Sequence, residues 1–274
     1  MAGEQDREPA ADRGPAQSLD TSVAHIARVY DYWLGGKDNY AADREAAEEA
    51  LAVNPGLLAD VRANRGFLAR AVRYLAAECG IRQFLDIGTG IPTANNTHEV
   101  AQSVAPRSRI VYVDNDPVVL LHAQALLASD PSGACDYVDA DLRDTAKILS
   151  VAEQTLDFSQ PVAVMLIAIL HLIPDQDDPG GIVGKLMAAV PRGSYLALSH
   201  PASDIAAAVM SKAATRLNRL MSQRVTLRTR DEVSRFFSGT TLAEPGIVQP
   251  PRWRPDGPVA MSDISVWCGV ARKD

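Results

Sequence analysis

Three apolar runs in this 274-residue chain each end in an acid. The first, Phe84-Leu85-Asp86-Ile87, passes directly into the turn Gly88-Thr89-Gly90. The second, Ile110 to Val113, ends in Asp114-Asn115-Asp116-Pro117, and the third, Cys135 to Val138, ends in Asp139-Ala140-Asp141-Leu142. Without a Cβ at Gly88 and Gly90 the backbone can turn sharply and let a ligand lie against it. A carboxylate at Asp114, at the tip of the second strand, is placed to accept hydrogen bonds from both hydroxyls of a ribose. Asp141 is placed to accept from an adenine amino group while the Leu142 N–H donates to a ring nitrogen. One Gly-x-Gly turn says little, since any tight βα junction can use it; three acid-tipped units in succession form a nucleoside-binding rim.

That rim suits S-adenosylmethionine better than a dinucleotide. A nicotinamide cofactor calls for Gly-x-Gly-x-x-Gly, whose third glycine lets the helix pack closely on the strand and whose helix N-terminus holds the pyrophosphate. Here the run is Gly88-Thr89-Gly90-Ile91-Pro92-Thr93, with no third glycine and an intervening proline. The candidate cofactor-binding set is Asp86, Gly88, Gly90, Asp114, Asn115, Asp141 and Leu142.

A sulfonium already makes its methyl group electrophilic, so an acceptor held in line at roughly 3–3.5 Å gains most of its rate from placement. A base is needed only where the acceptor carries a proton that must leave. His171, just past the fourth apolar run, is the candidate for the acceptor side of the pocket and for that base; the plainer reading is a hydrogen-bonded rim histidine. His200 ends the fifth run and ranks below it. Tyr30 is the second catalytic candidate. It belongs to a polar-aromatic cluster with Asp31, Lys37, Asn39 and Tyr40, readable as a lid over the methyl-transfer site or as a helical hairpin with a capped turn. His25, His98 and His122 fall in predicted helices, where packing or exposure accounts for them.

The elements that must carry these residues follow from the periodicity. Residues 1–19, rich in Ala, Gly, Pro and charge, read as a disordered tail. Val23, Ile26, Tyr30 and Trp33 recur at helical spacing up to Gly35-Gly36, a second helix spans about 41–53, and a third runs from Leu57 to near Gly80. Residues 20–80 are thus a helical segment ahead of a cofactor-binding domain over 81–274. Strands are expected at 83–87, 110–114, 135–139, 162–168 and 194–200, separated by helices at 95–104, 117–128, 144–153 and 179–190. Such alternation implies a parallel sheet with right-handed crossovers. Asp178-Pro179 reads as a helix cap and first position. Helices at 203–222 and 230–238 form an insertion over about 203–238, and 246–250 with 263–271 read as two terminal strands. Arg62, Arg65, Arg70 and Arg73 share the third helix; a solvated face accounts for them except at Arg65, beside the apolar seam.

The segment Arg28 to Arg44, which contains Gly35-Gly36-Lys37-Asp38-Asn39, resembles a bacterial family of S-adenosylmethionine-dependent methyltransferases of unassigned acceptor. So do Phe84 to Gly90, Thr97-His98-Glu99-Val100-Ala101, Val113 to Pro117, Leu170-His171, Pro174-Asp175, Ser199-His200 and Pro251-Arg252-Trp253-Arg254-Pro255. The likeness covers about residues 20–274, and the Gly-Gly-Lys-Asp-Asn segment is not part of the general methyltransferase pattern. It implies an α/β fold of the class I methyltransferase, Rossmann-like type. That fold has a mostly parallel seven-stranded sheet, an antiparallel C-terminal strand, helices on both faces and an N-terminal helical lid. It implies S-adenosyl-L-methionine as cofactor and supplies no substrate.

Composition sets the remaining bounds. With 47% hydrophobic and 22% charged residues the chain can bury a full core. A net charge of −7 argues against a nucleic-acid partner, which needs concentrated positive surface. Cys79, Cys135 and Cys268 are odd in number and lack CxxC spacing, so neither a disulfide framework nor a metal site is expected, and a reducing cytoplasm is the simplest compartment. No run approaches the ~20 apolar residues of a membrane span. The reading is therefore a cytoplasmic S-adenosylmethionine-dependent methyltransferase acting on a small molecule. The rival classes are a non-catalytic S-adenosylmethionine-binding or interaction protein and an NAD-dependent oxidoreductase.

Overall fold

The computed structural model describes residues 20–126, 132–258 and 263–274. The expected tail at 1–19 and the last two residues of the helix expected at 117–128 lie outside that range. Seven strands form one sheet: β1 (Gln83–Ile87), β2 (Arg109–Asp114), β3 (Ala134–Asp139), β4 (Ala163–Ile167), β5 (Tyr195–Pro201), β6 (Thr240–Leu242) and β7 (Val266–Lys273). Their order is β3-β2-β1-β4-β5-β7-β6. The first five are parallel, and β7 runs antiparallel to both β5 and β6. Chain order reverses direction between β1 and β4, which opens a crevice outside their carboxyl ends where open α/β sheets bind ligands.

The two central strands read as unbroken apolar runs because both faces of the sheet are covered. Every residue of β1 and β4 is buried. Leu85, Val111, Val164 and Leu166 point to one face, against Ile148 and Leu186. Phe84, Ile110 and Met165 point to the other, against Phe67, Leu75 and Trp253. The helices are α1 (Ile26–Trp33), α2 (Ala41–Val53), α3 (Leu57–Ala77), α4 (Thr97–Val104), α5 (Pro117–Leu126), α6 (Thr145–Ala152), α7 (Pro179–Ala189), α8 (Ala207–Leu220) and α9 (Arg230–Arg235). Asp178 caps α7 by accepting the Gly181 N–H at 2.9 Å, with Pro179 as the first helical residue. None of the described helices is long and apolar enough to cross a membrane.

A third core lies above the carboxyl edge of the sheet. Val29 and Trp33 of α1, Ala46 and Ala50 of α2, Val61 of α3 and Met210 and Leu217 of α8 share it. The N-terminal helices and the later insertion are thus one packed body roofing the crevice, although about 150 residues of sequence separate them.

The strand expected at 246–250 is displaced. The sheet takes Thr240–Leu242 instead, and 246–250 contributes one bridge, Val248 to Cys268. Thr240 and Thr241 are β-branched and suit a pleated edge, whereas Pro245, Pro250 and Pro251 cannot donate to a ladder and Gly246 sits at φ +82°. Arg252-Trp253-Arg254 is an anchor. Trp253 is fully buried, edge-on to Phe67 and Tyr74, and Arg70 holds the carbonyls of Pro250 and Trp253 at 2.6 and 3.0 Å.

Candidate active site

A cleft of about 430 Å³ opens over the carboxyl ends of β1, β2 and β4, and all seven residues of the candidate cofactor set line it. The glycine turn is forced by space. At Gly88, φ +77°, a Cβ would come within 2.5 Å of Ile169, while at Gly90, φ +63°, it would meet nothing within 4 Å and would stand in the open cleft. Asp114 is buried at the strand tip. Its Oδ2 accepts the Gly90 N–H at 2.9 Å and its Oδ1 accepts those of Asn115 and Asp116 at 2.9 and 3.0 Å, so one carboxylate ties the two loops together. Burial pushes its pKa up, and the backbone bonds from Asp116 and Gly90 pull it down.

Asp86 accepts from the Thr97 hydroxyl at 2.6 Å, and burial pushes its carboxyl up to about 6. At the other end of the cleft Asn115 donates to Asp141 at 3.3 Å. The Asp141 carboxylate also receives the Arg143 backbone N–H at 2.8 Å and its guanidinium at 3.0–3.1 Å, leaving a half-exposed rim acceptor already balanced by a cation.

A smaller cavity of about 70 Å³ adjoins the cleft, lined by residues of α1, α3 and α8. It shares Ile26, Tyr30, Asn64 and Ala168 with the cleft, so these four residues form the wall between the two spaces. The wall is held by a chain of hydrogen bonds. The Ala168 N–H donates to Ser199 Oγ at 3.0 Å, Ser199 donates to Asn64 Oδ1 at 2.6 Å, Asn64 Nδ2 donates to Tyr30 Oη at 2.9 Å, and Tyr30 donates to the Val61 carbonyl at 3.2 Å. Ala168, a non-glycine residue at φ +50°, is kept in that left-handed conformation by the Ser199 end of this chain. Desolvation pushes the Tyr30 hydroxyl up to about 12, and both its donor and one acceptor position are engaged. Tyr30 therefore lines the site as a neutral hydroxyl.

His171 lines the smaller cavity and not the cleft. It sits in a 3-10 turn, Leu170–Leu172, just past β4, and its Nδ1 is buried without a hydrogen-bond partner among the described residues. Burial and then the nearby Arg228 charge lower its pKa to about 4. His200 is structural: Nδ1 donates to the Pro201 carbonyl at 2.8 Å, which leaves Nε2 to accept from Arg228 at 2.9 Å. Arg228, buried, also holds the Leu170 and Ile173 carbonyls and Asp175, and so fixes the turn that presents His171.

Sequence reasoning missed several neighbours. His25 is not inside a helix: it caps α1, with Nδ1 2.7 Å from Asp116 and Nε2 2.9 Å from Gln223. Burial pushes Asp116 up, and the His25 bond and charge with Arg28 more than reverse this. Gln223 and Arg224, after α8, line the cleft with no local signature in sequence. Asn64 and Asp60 did leave one, as polar residues on the apolar face of α3 that Leu57, Val61 and Leu68 define. Arg65 lines the cleft and donates to the Ala94 carbonyl at 3.1 Å, whereas Lys37 is exposed and off it. Asp31 closes the hairpin turn by accepting from the Asp38 N–H and the Asn39 amide at 3.0 and 2.8 Å, and it also faces the cleft, so a capped hairpin and a cleft wall coexist in one segment. Among the described residues no group of three or more His, Cys, Asp or Glu side chains could hold a metal ion.

The sequence model of the S-adenosyl methyltransferase family matches residues 12–274. A protein of the DUF574 family from Streptomyces avermitilis is 49% identical over 93% of this chain and 99% of its own, with a TM-score of 0.90. A candidate methyltransferase from Thermobifida fusca is 42% identical over 96% of this chain and 100% of its own, with a TM-score of 0.87. TnmH, 18% identical over 83% of this chain and 61% of its own, shares the fold with a TM-score of 0.52. No curated protein matches the chain.

Proposed function

The chain belongs to the S-adenosyl methyltransferase family, and from that membership we propose that it methylates a small molecule where its two cavities meet. The observation that carries this reading is the convergence of Asp86, Gly88, Gly90, Asp114, Asn115, Asp141 and Leu142 on one cleft at the β1/β4 crevice. The residues fit the cofactor: the open side of Gly90 leaves room for a ligand against the backbone, and the carboxylates of Asp114 and Asp141 are acceptors at two points along the rim. When bound, S-adenosylmethionine supplies a sulfonium-activated methyl group.

In this assignment Asp114 holds the ribose hydroxyls, Asp141 and the Leu142 N–H read the adenine edge, and Gly88 and Gly90 give the backbone its close approach. Tyr30, Asn64 and Ala168 border both the cofactor space and the acceptor space and, with the roof of α1 and α8, keep water from the transfer site. His171, neutral at physiological pH, takes the acceptor's proton. The small size of the second cavity, about 70 Å³, favours a small molecule over a macromolecule. Three unpaired cysteines agree with a cytoplasmic location.

The test is retention of ligand. The protein incubated with equimolar S-adenosylmethionine and NAD, desalted and analysed by denaturing mass spectrometry, is expected to carry S-adenosylmethionine or S-adenosylhomocysteine. Retention of NAD alone contradicts the proposal.

A further inference from the structure

The smaller cavity is walled mostly by apolar side chains, among them Trp33, Val61, Met210 and Leu217. Five polar side chains interrupt that wall, Tyr30, Asp60, Asn64, His171 and Ser265. Asp60 is buried and takes the Ser265 N–H at 2.9 Å. His171 is 6% exposed, its side chain makes no hydrogen bond among the described residues, and its Nδ1 is an orphan. The Tyr30 hydroxyl is engaged on Val61 and the Asn64 amide on Tyr30. A buried polar atom without a partner costs roughly 1–3 kcal/mol, so it calls for an explanation, and a ligand that donates to it is one. A sugar or nucleotide would bring several polar groups that these walls leave unpaired. At about 70 Å³ the cavity is half the roughly 150 Å³ that holds benzene, so it takes part of a single ring while the rest extends toward the cleft.

We propose that this cavity is the acceptor pocket, and that the acceptor is an apolar, phenol-like molecule whose hydroxyl donates to His171 Nδ1. The inference rests on the methyltransferase reading and adds the substrate class to it. The step balances: the acceptor oxygen bonds to the methyl carbon as the carbon–sulfur bond breaks, and that bond's electron pair leaves with sulfur as a neutral thioether. The hydroxyl proton passes to the neutral imidazole, which starts with its hydrogen on Nε2.

Calorimetric titration of 4-ethylphenol, ethylbenzene and 4-ethylbenzylamine into the full chain saturated with S-adenosylhomocysteine tests the proposal. The phenol is expected to bind one to one and at least fivefold more tightly than ethylbenzene. His171→Phe, which keeps an apolar ring, should abolish that preference. Ala213→Phe, on the cavity wall, should weaken both by tenfold or more. S-adenosylhomocysteine affinity should stay within a few-fold in each variant. No binding of the phenol to the saturated protein, a preference that survives in folded His171→Phe, or tighter binding of the amine overturns the proposal. Should both variants fail to fold, equal binding of phenol and ethylbenzene by the wild type overturns it. Failure of S-adenosylhomocysteine itself to bind is a separate result and removes the methyltransferase reading instead.

Discussion

Asn64 Nδ2 donates to Tyr30 Oη at 2.9 Å, and this bond joins α3 to α1 at the wall between cleft and smaller cavity. Because Asn64 Oδ1 also accepts from Ser199, one side chain sets both the roof helix and the end of β4. Asn64→Leu would strand the Ser199 hydroxyl and remove the donor to Tyr30 in a buried region. The expected loss is roughly 1–3 kcal/mol for each stranded group, read by urea unfolding. A change under 0.5 kcal/mol would show that the chain of bonds does not hold the wall.

Asp114 does two jobs in this account, bracing the Gly90 turn and receiving the ribose. Asp114→Ala should lower S-adenosylhomocysteine affinity by ~10²-fold or more, since charge-assisted bonds are worth roughly 1.5–3 kcal/mol each. Asp114→Asn keeps the shape and one acceptor oxygen and should fall between the two. Calorimetry on variants whose circular dichroism matches the wild type checks both, and unchanged affinity in Asp114→Ala would move the ribose contact elsewhere.

Much of this site was legible because local sequence dictates it. Gly88 and Gly90 must turn, an acid at a parallel strand tip must face the crevice, and the apolar runs of β1 and β4 can only be buried strands. What was not legible depends on distant pairings. His25 read as a helix residue because nothing local announces Asp116 or Gln223, which reach it only when the roof closes on the β2 tip. The strand expected at 246–250 failed for a local reason, the prolines and Gly246, while Thr240–Leu242 is too short for its periodicity to stand out. His171 was placed past the correct strand, but its separation from the cleft follows from the Asn64–Tyr30 wall, a contact between elements.

The buried ionisable groups give stability a pH dependence of two opposite signs. His171 drops from its ordinary 6.5 to about 4 on folding, so its contribution is whole above about 6.5 and is lost as pH falls toward 4. Asp86 rises from 3.8 to about 6, so the folded state keeps a proton the unfolded chain releases; its contribution is present below 3.8 and lost as pH rises through 6. Asp86→Asn should therefore gain on the wild type between pH 4 and 7 by on the order of 3 kcal/mol. His171→Phe should gain on it in the other direction, as pH falls from 7 to 4. Urea unfolding at pH 4.5 and 7.5 reads both, and differences that do not change with pH would contradict these assignments.

The roof should respond to ligand. α1 contributes Ala27, Tyr30 and Asp31 to the cleft, whereas α5 contributes nothing from its described residues. S-adenosylhomocysteine is expected to slow amide hydrogen exchange over 26–33 more than over 117–126, because ordering a cover protects its backbone bonds. Equal protection in the two segments would make α1 a fixed part of the fold.

The central claim is that the β1/β4 cleft binds S-adenosylmethionine. Titration of S-adenosylhomocysteine and, separately, NAD into the purified full chain tests it most directly. The account predicts one-to-one binding of S-adenosylhomocysteine, weakened ~10²-fold or more by Asp114→Ala, with no heat from NAD. Binding of NAD in its place, or S-adenosylhomocysteine binding that Asp114→Ala leaves untouched, would contradict it.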